Sequence, residues 1–421
     1  MKYFKGAKGG LFYLKNNKKV YIPKNKITED MLSNASPFIK DKGNVSSDNK
    51  KIEKKSSKKV SKRVSNKKSS KRRSSKRRTL SNEKSLIYIN TIQKLIDNKY
   101  SRKNIEKELK EIQEIIPKTF YKNGKLLLKT KEEIIDELNN ILLNLKLIKL
   151  ENTEHKIGMF RTDILKVNKI IGRGGQGSIL SGTFNNIPIV IKAELKGLQT
   201  SSLNEEYRLL NILRDVKGIP KVYSLDVIDG VNLMVMEFLG VNVYQISQKI
   251  NLSEKDIKYI GKNIAEILSK IHSHNIIHRD IKPSNIMFKN KDLRDIQNKE
   301  VYVIDFGSSF ELSKWASPVG GFFGSPEFSS VNILKNIPAS FKDDYESLGY
   351  LLLFLCCKNE ITFFNEKLKS LPEDQKIEKI IPLKESFLKN YKGTNIPDFI
   401  KKYFDTLKNY KDEKDFQKVF K

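Results

Sequence analysis

Residues 169–194 read KIIGRGGQGSILSGTFNNIPIVIKAE. Gly172, Gly174 and Gly177 stand in G-x-G-x-x-G spacing, which lets backbone amides come close to phosphates and fits either a dinucleotide fold or a nucleotide-covering hairpin. The residues after Gly177 separate the two. A dinucleotide fold needs a helix straight after the glycines, whereas here two β-prone runs flank Asn185-Asn186, and Asn tolerates the positive φ of a tight turn. The spacing therefore predicts a glycine-rich hairpin and a third strand that ends near Lys192.

A lysine in that position needs a carboxylate to orient it. In LNEEYRLLNIL (203–213), Glu206 has Leu209, Leu210 and Leu213 at +3, +4 and +7, which turns its side chain inward on a helix, with Glu205 as the alternative. Two further stretches come next in the chain. IIHRDIKPSNIMF (276–288) carries His278, Arg279, Asp280, Lys282 and Asn285, and VYVIDFGSS (301–309) places Asp305-Phe306-Gly307 after a β-like run, 25 residues beyond Asp280.

Four ordered motifs with these spacings resemble the eukaryotic protein kinase superfamily over residues 160–421. The resemblance implies an α+β, two-lobed kinase fold with ATP in the cleft. It also implies roles: Lys192, oriented by Glu206, on the α and β phosphates, Asp280 accepting the substrate hydroxyl's proton, Lys282 neutralising the transferred phosphoryl, and Asn285 and Asp305 holding Mg²⁺. Lys282, two residues after Asp280, matches serine/threonine rather than tyrosine kinases, so protein Ser/Thr hydroxyls are the implied substrates. Inactive relatives usually lose at least one of Lys192, Glu206, Asp280, Asn285 and Asp305, and all five are present. The alternative is a catalytically idle scaffold associated with nucleic acid or virions.

GSPEFSSVN (324–332) narrows the family. Gly324 to Phe328 fit the Gly-Thr-Pro-Glu-Tyr of kinase activation segments, so Ser330-Val331-Asn332 stands where most kinases have Ala-Pro-Glu. That closing triplet resembles the casein kinase 1 family, as do GIPKVY (218–223), LMVMEFLG (233–240), FKDDYESLGYLLLFL (341–355) and IPDFIKKYFDTL (396–407). The resemblance implies Met236 as gatekeeper and Leu239 as the hinge residue, with Ile179, Val190 and Glu237 also contacting nucleotide. It makes Asp344 the brace of the catalytic loop. Two departures are Gln176 at the loop tip, where the family has an aromatic residue, and a short segment without the family's basic cluster. Substrate preference therefore does not carry over, and activity without segment phosphorylation is expected.

The remaining sequence is organised by charge. Of the net +31, +21 lies in residues 1–90, which hold 27 Lys+Arg against 6 Asp+Glu. Residues 50–78 have sixteen basic residues, one acid (Glu53) and eight serines; such a stretch cannot bury a core and is expected to be a disordered linker that binds nucleic acid or another polyanion. LFYLKNNKKVYI (11–22) predicts a hairpin about Asn16-Asn17. With the glycines before it, this stretch resembles the short basic adaptor module of large DNA viruses. Ile105, Leu109, Ile112 and Ile116, then Ile134, Ile135, Leu138, Ile141, Leu142 and Leu145, fall at helical spacing. Thr130 and Glu133 form a capping box, and Asn123-Gly124 a hairpin turn. The expected organisation is an adaptor-like hairpin over 1–40, a linker over 41–84, a helical region over 85–155 and the kinase domain over 160–421. Adjacent Cys356 and Cys357 suit buried free thiols. His155, His272 and His274 form no metal-ligand set. No run approaches the roughly 18 apolar residues of a membrane helix, so no membrane partner is expected and the protein is placed inside the cell, cytoplasmic or nuclear, or in a virion if viral.

Overall fold

The computed structural model describes residues 3–5, 11–15, 18–21, 35–37, 82–97, 102–110, 112, 115–116, 121–122, 125–126, 130–158, 162–174, 177–197, 202–290, 295–312 and 324–420. The basic stretch 50–78, the loop-tip Gln176 and segment residues 313–323 lie outside them. Two compact units divide the chain, Met1–Arg77 and Arg78–Lys421. In the first, β1 (Tyr3–Lys5), β2 (Leu11–Lys15), β3 (Lys18–Tyr21) and β4 (Ala35–Pro37) form one sheet in the order β3-β2-β1-β4. Lys15 pairs with Lys18, and the turn expected at Asn16-Asn17 lies outside the described residues.

The second unit opens with helices α1 (Asn82–Asp97) and α2 (Arg102–Leu109), a hairpin of β5 (Tyr121–Lys122) and β6 (Lys125–Leu126), and α3 (Lys131–Leu150). α1 begins three residues inside the expected linker. At the start of α3, Glu133 N donates to Thr130 Oγ1 and Thr130 N to a Glu133 carboxylate oxygen, both at 3.1 Å, satisfying two of the orphan donors of a helix start. Next comes a six-stranded antiparallel sheet, β7 (Thr153–Ile157), β8 (Asp163–Gly174), β9 (Gly177–Phe184), β10 (Ile187–Leu195), β11 (Val222–Ile228) and β12 (Val231–Glu237), in the order β11-β12-β10-β9-β8-β7. Between β10 and β11 lies helix α4 (Leu203–Ile212).

Strand alternation gives this sheet two different faces. Ile189, Ile191 and Ala193 of β10 are buried in one apolar cluster with Leu165, Val167, Leu180, Val231, Leu233 and Val235, and with Ile92, Ile105, Leu109, Leu138 and Leu142 of the preceding helices. Val190 and Lys192 point the other way. The helices thus wall the back of the sheet that carries Lys192. Leu138→Ala is therefore expected to cost about 2–5 kcal/mol and to lower the stability of sheet and helices together. Urea unfolding followed by circular dichroism checks this; separate transitions for the two would refute it.

A helical lobe completes the unit, built from α5 (Val243–Ser247), α6 (Glu254–Ser273), α7 (Val331–Leu334), α8 (Phe341–Cys357), α9 (Glu366–Lys369), α10 (Glu373–Asn390), α11 (Asp398–Lys408) and α12 (Lys414–Val419). Short strands β13 (Ile276–Ile277), β14 (Ile286–Phe288), β15 (Val301–Val303) and β16 (Phe310–Glu311) pair as β13 with β16 and β14 with β15. α8 is the centre of this lobe, with Tyr345, Leu348, Tyr350, Leu351, Leu352 and Leu353 all fully buried. Cys356 is half-buried and Cys357 buried, both as free thiols. The result is a two-lobed α+β fold. Among the described residues no helix is long and apolar enough to cross a membrane.

Candidate active site

Gly174 pairs with Gly177 and Gly172 with Ile179 across the β8–β9 hairpin. Gly177 has φ +136°, and a Cβ there would stand 2.4 Å from the Ala193 carbonyl oxygen, so the hairpin can fold down on β10 only with glycine at this position. One strand over, Ile179 lies opposite Lys192 and Val190 opposite Met236. Met236 and Leu239 are buried. The Glu237 carboxylate is committed elsewhere, accepting from Lys221 N at 3.1 Å and pairing with Lys289, so only its backbone faces a nucleotide's needs.

Lys192 Nζ bonds Glu206 Oε2 at 2.6 Å and Asp305 Oδ1 at 2.8 Å. Burial pulls the ammonium down, but the Glu206 and Asp305 carboxylates outweigh it and hold it above the ordinary lysine range. Glu206 is buried along with Leu209, Leu210 and Leu213, whereas Glu205 is exposed and pairs with Arg208. Burial keeps the Glu206 carboxyl above the usual range against the pull of Lys192. Its other oxygen accepts from Phe306 N at 3.2 Å, tying α4 to the Asp305-Phe306-Gly307 turn. Arg208 strengthens that tie by pairing with Glu311 of β16 at 2.8 Å.

Asp280 and Asn285 lie in the loop between β13 and β14. Lys282 Nζ bonds Asp280 Oδ2 at 2.7 Å and donates to Ser325 Oγ at 3.1 Å. Asn285 Nδ2 donates to Asp280 O at 2.9 Å and to its Oδ2 at 3.0 Å. Oδ2 is thus saturated, while Asp280 Oδ1 is buried with no hydrogen-bond partner. Burial raises the Asp280 carboxyl against the opposing charge of Lys282. β14 pairs with β15 in the register Ile286 to Val303, and Ile304 N donates to Asn285 O at 2.9 Å. This register sets Asn285 beside the strand that leads into Asp305.

The loop's backbone is strained and braced. Arg279 has φ 65° and Asp305 φ 69°, left-handed conformations that cost energy for non-glycine residues. Asp344 of α8 holds the first of them, its carboxylate accepting from His278 N and Arg279 N, both at 2.8 Å. His278 Nε2 donates to Ile304 O at 3.1 Å and its Nδ1 accepts from Asp280 N at 3.3 Å, which fixes one tautomer. Behind the brace stands His272, whose Nε2 meets Asp344 Oδ2 at 2.9 Å and whose Nδ1 meets Glu413 Oε1 at 2.6 Å.

Sequence reasoning missed five contributors. Arg208 and Glu311 are far apart in the chain and carry no local signal for each other, and the same holds for His272 with Glu413. Where Asn332 stands in place of a glutamate, its neighbours tie the segment to α8: Ser330 Oγ donates to Asp343 Oδ1 at 2.6 Å and Val331 N to Glu346 Oε1 at 2.8 Å. Ser325 could have been found from its place in the Gly324–Phe328 stretch. Among the described residues no group of three or more His, Cys, Asp or Glu could hold a metal by itself.

Comparison with known proteins agrees with this geometry. A family model described as protein kinase domain matches residues 165–411. The chain is 28% identical over 239 residues to casein kinase I homolog 3 of Schizosaccharomyces pombe, covering 52% of this chain and 53% of that protein. It is 26% identical over 255 residues to casein kinase I homolog RAG8 of Kluyveromyces lactis, covering 58% and 47%, and 27% identical over 226 residues to casein kinase I homolog 2 of Saccharomyces cerevisiae, covering 51% and 40%. The chain spans about half the length of these curated relatives. Since the family model takes in well over half of the sequence and the two-lobed fold surrounds the matched motifs, the chain belongs to the protein kinase domain family.

Proposed function

We propose that this protein is a serine/threonine kinase that transfers the γ-phosphoryl of ATP, with Mg²⁺, to protein hydroxyls. The observation that carries this reading is the Asp280 carboxylate, one oxygen saturated by Lys282 and Asn285 and the other buried and unpartnered. A buried orphan acceptor is costly unless something is meant to reach it, and a substrate hydroxyl supplies the missing donor. The donor set also suits Mg²⁺, which takes few protein oxygens and completes its shell with phosphates and water. Asp305 and Asn285 would hold it. When bound, Mg²⁺ neutralises charge on the phosphate oxygens.

Asp280 Oδ1 orients the hydroxyl and takes its proton. Lys282, bridging Asp280 and Ser325, places positive charge beside the transferred group. Lys192, aligned by Glu206, holds the α and β phosphates, and Ile179, Val190, Met236 and Leu239 surround the adenine. What supports this reading over an idle scaffold is that Lys192 pairs with Glu206 and Asp305 and that Asp280 is held by Lys282 and Asn285. A radiolabelled ATP assay on protein acceptors tests the proposal; absence of both transfer and Mg·ATP binding would end it.

Activity is proposed not to need a segment phosphate. Arg279 Nε donates to Ser308 O at 2.6 Å and its guanidinium lies 5.1 Å from the Phe310 ring centroid, so the cation that phosphorylated segments engage in many kinases is already occupied. Ser308 and Ser309 are themselves buried. Phosphatase-treated enzyme is expected to keep full activity, and Glu311→Ala to lower it about two- to five-fold by loosening α4, in line with a half-exposed ion pair. An enzyme inert until it rephosphorylates itself would contradict this.

The N-terminal unit is proposed as a targeting region. With net +15, residues 50–78 should bind duplex DNA or a similar polyanion, with log K falling by about 0.9 per phosphate neutralised for each unit of log salt. Phosphorylation of the eight serines, each adding about −1.5 to −2, would release it. An anisotropy titration of the full chain against a version lacking 50–78 checks this, and equal, salt-independent affinity would leave the stretch a linker.

A further inference from the structure

Lys384 in α10 is one lysine among many in the sequence, yet its side chain is fully buried. Its Nζ donates to Pro326 O at 2.9 Å and to Ser329 O at 2.5 Å, and lies 4.0 Å from the Tyr350 ring centroid and 5.5 Å from that of Phe363. An ammonium has three hydrogens. Two meet the carbonyls and the third faces the negative surface of the Tyr350 ring. A neutral amine would have to abandon one carbonyl or turn its lone pair on the ring. The geometry fits the charged form.

The two carbonyls belong to the turn that completes the substrate side of the cleft. Phe328 N and Ser329 N both donate to Ser325 O at 2.9 Å, and Ser325 Oγ receives Lys282. Gly324 starts the turn at φ +112°, where a Cβ would stand 2.9 Å from Arg279 O and 3.3 Å from Asp280 Oδ1. The titratable groups facing Lys384 are Glu346 and the neutral Tyr350 of α8 and Glu327 of the turn, with Asp343 beside Glu346 and Lys376 of its own helix beside Glu327. Each is engaged elsewhere: Glu346 with Val331 N and Tyr350 Oη, Asp343 with Ser330, and Glu327 with Lys376 at 3.5 Å.

We infer that Lys384 is a positioning residue for the protein substrate: its ammonium fixes the turn over 324–330, and through Ser325 the Lys282–Asp280 pair, in the shape that receives the polypeptide around the acceptor hydroxyl. The inference rests on the kinase reading. Burial, against the attraction of Glu346 and Glu327, brings the Lys384 ammonium down to about 7, so the pin loosens as pH rises through neutrality. Stability moves the other way. A lysine whose folded value lies below its unfolded one makes folding costlier at low pH, and that cost is relieved as pH climbs from the folded value toward the ordinary lysine range. Substrate affinity and fold stability therefore change in opposite senses, which a lysine with a merely structural role would not produce.

The experiment uses the full chain with dephosphorylated casein as acceptor, from about pH 6 to about pH 8.5, a range spanning the Lys384 transition but ending below the ordinary lysine value. The wild-type KM for casein is expected to rise about three- to ten-fold over this range while the KM for Mg·ATP stays level, a change of roughly 1 kcal/mol in acceptor binding. Lys384→Met should show a high casein KM at every pH and an unchanged KM for Mg·ATP. Lys384→Arg, charged throughout, should show a low and level casein KM. Relative to Lys384→Met, the wild-type melting temperature should rise with pH. A Lys384→Met enzyme with the wild-type casein KM and profile would overturn the inference, as would a Lys384→Arg enzyme whose KM still climbs. Where Lys384→Met does not fold, a level wild-type profile overturns it. A wild type that transfers no phosphate defeats the kinase reading instead.

Discussion

Asp280→Ala is expected to lower phosphoryl transfer by about 10²- to 10⁴-fold, the range for removing a positioned general base, while Mg·ATP affinity changes little. The reason is local. In the proposed scheme Asp280 offers its unpartnered oxygen to the acceptor hydroxyl, and its other oxygen is taken up by Lys282 and Asn285. Asp305→Ala should act on the other side of the cleft: it removes a proposed Mg²⁺ ligand and one of the two partners of Lys192, so Mg²⁺-dependent nucleotide binding is lost along with turnover. Calorimetry with Mg·ATP separates the two variants. Near-normal turnover in Asp280→Ala, or normal Mg·ATP binding in Asp305→Ala, would show the roles to be misassigned.

The second large effect is expected at Asp344, which touches neither nucleotide nor acceptor in the proposed scheme. Burial would raise its carboxyl, but His272 and the His278 N–H outweigh burial and hold it below the ordinary carboxylate range. His272 is correspondingly raised: burial opposes its protonation, and the Asp344 and Glu413 carboxylates win. Asp344→Ala leaves that imidazolium without one partner and two loop N–H groups without an acceptor, at a cost of about 3–5 kcal/mol. It also releases the left-handed Arg279 backbone, and a displacement of about 1 Å near the chemistry lowers kcat by roughly 10²-fold.

The same pair gives stability a signed dependence on pH. Asp344 contributes fully above the ordinary carboxylate range, and its share is lost as pH falls through its lowered folded value. His272 contributes fully below about pH 6.5, the unfolded value, and its share is lost as pH rises through its elevated folded value. Relative to His272→Asn, wild-type thermal stability is expected to decline as pH rises through the elevated His272 value. The same decline in both would assign it to another group.

The motifs around Lys192, Asp280 and Asp305 were legible because each is a short local pattern tied to one backbone shape: a turn, a strand end, a braced loop. Glu206 could be told from Glu205 because helical spacing alone decides which of two adjacent side chains turns inward, and Glu206 is the buried one. The capping box at Thr130 and the Asn-Gly and Asn-Asn hairpins are equally local. What could not be read are pairings made only by tertiary packing. Lys384 looks like any lysine of an amphipathic helix until α8 and the 324–330 turn close over it. The apolar stripes at 105–116 and 134–145 pointed to a helical unit packed on the next domain, but nothing in them said that the face they meet is the back of β10.

The His272–Glu413 contact joins residues 141 positions apart. Translation at 5–20 residues per second puts about 7–28 s between the synthesis of the two. For the last part of that interval, about 3–14 s after Asp344 is made, the catalytic loop has its backbone brace but not the carboxylate that helps keep His272 charged. Competence at this cleft is thus delayed relative to its own residues, and a nascent chain carrying every catalytic side chain still waits for a single glutamate.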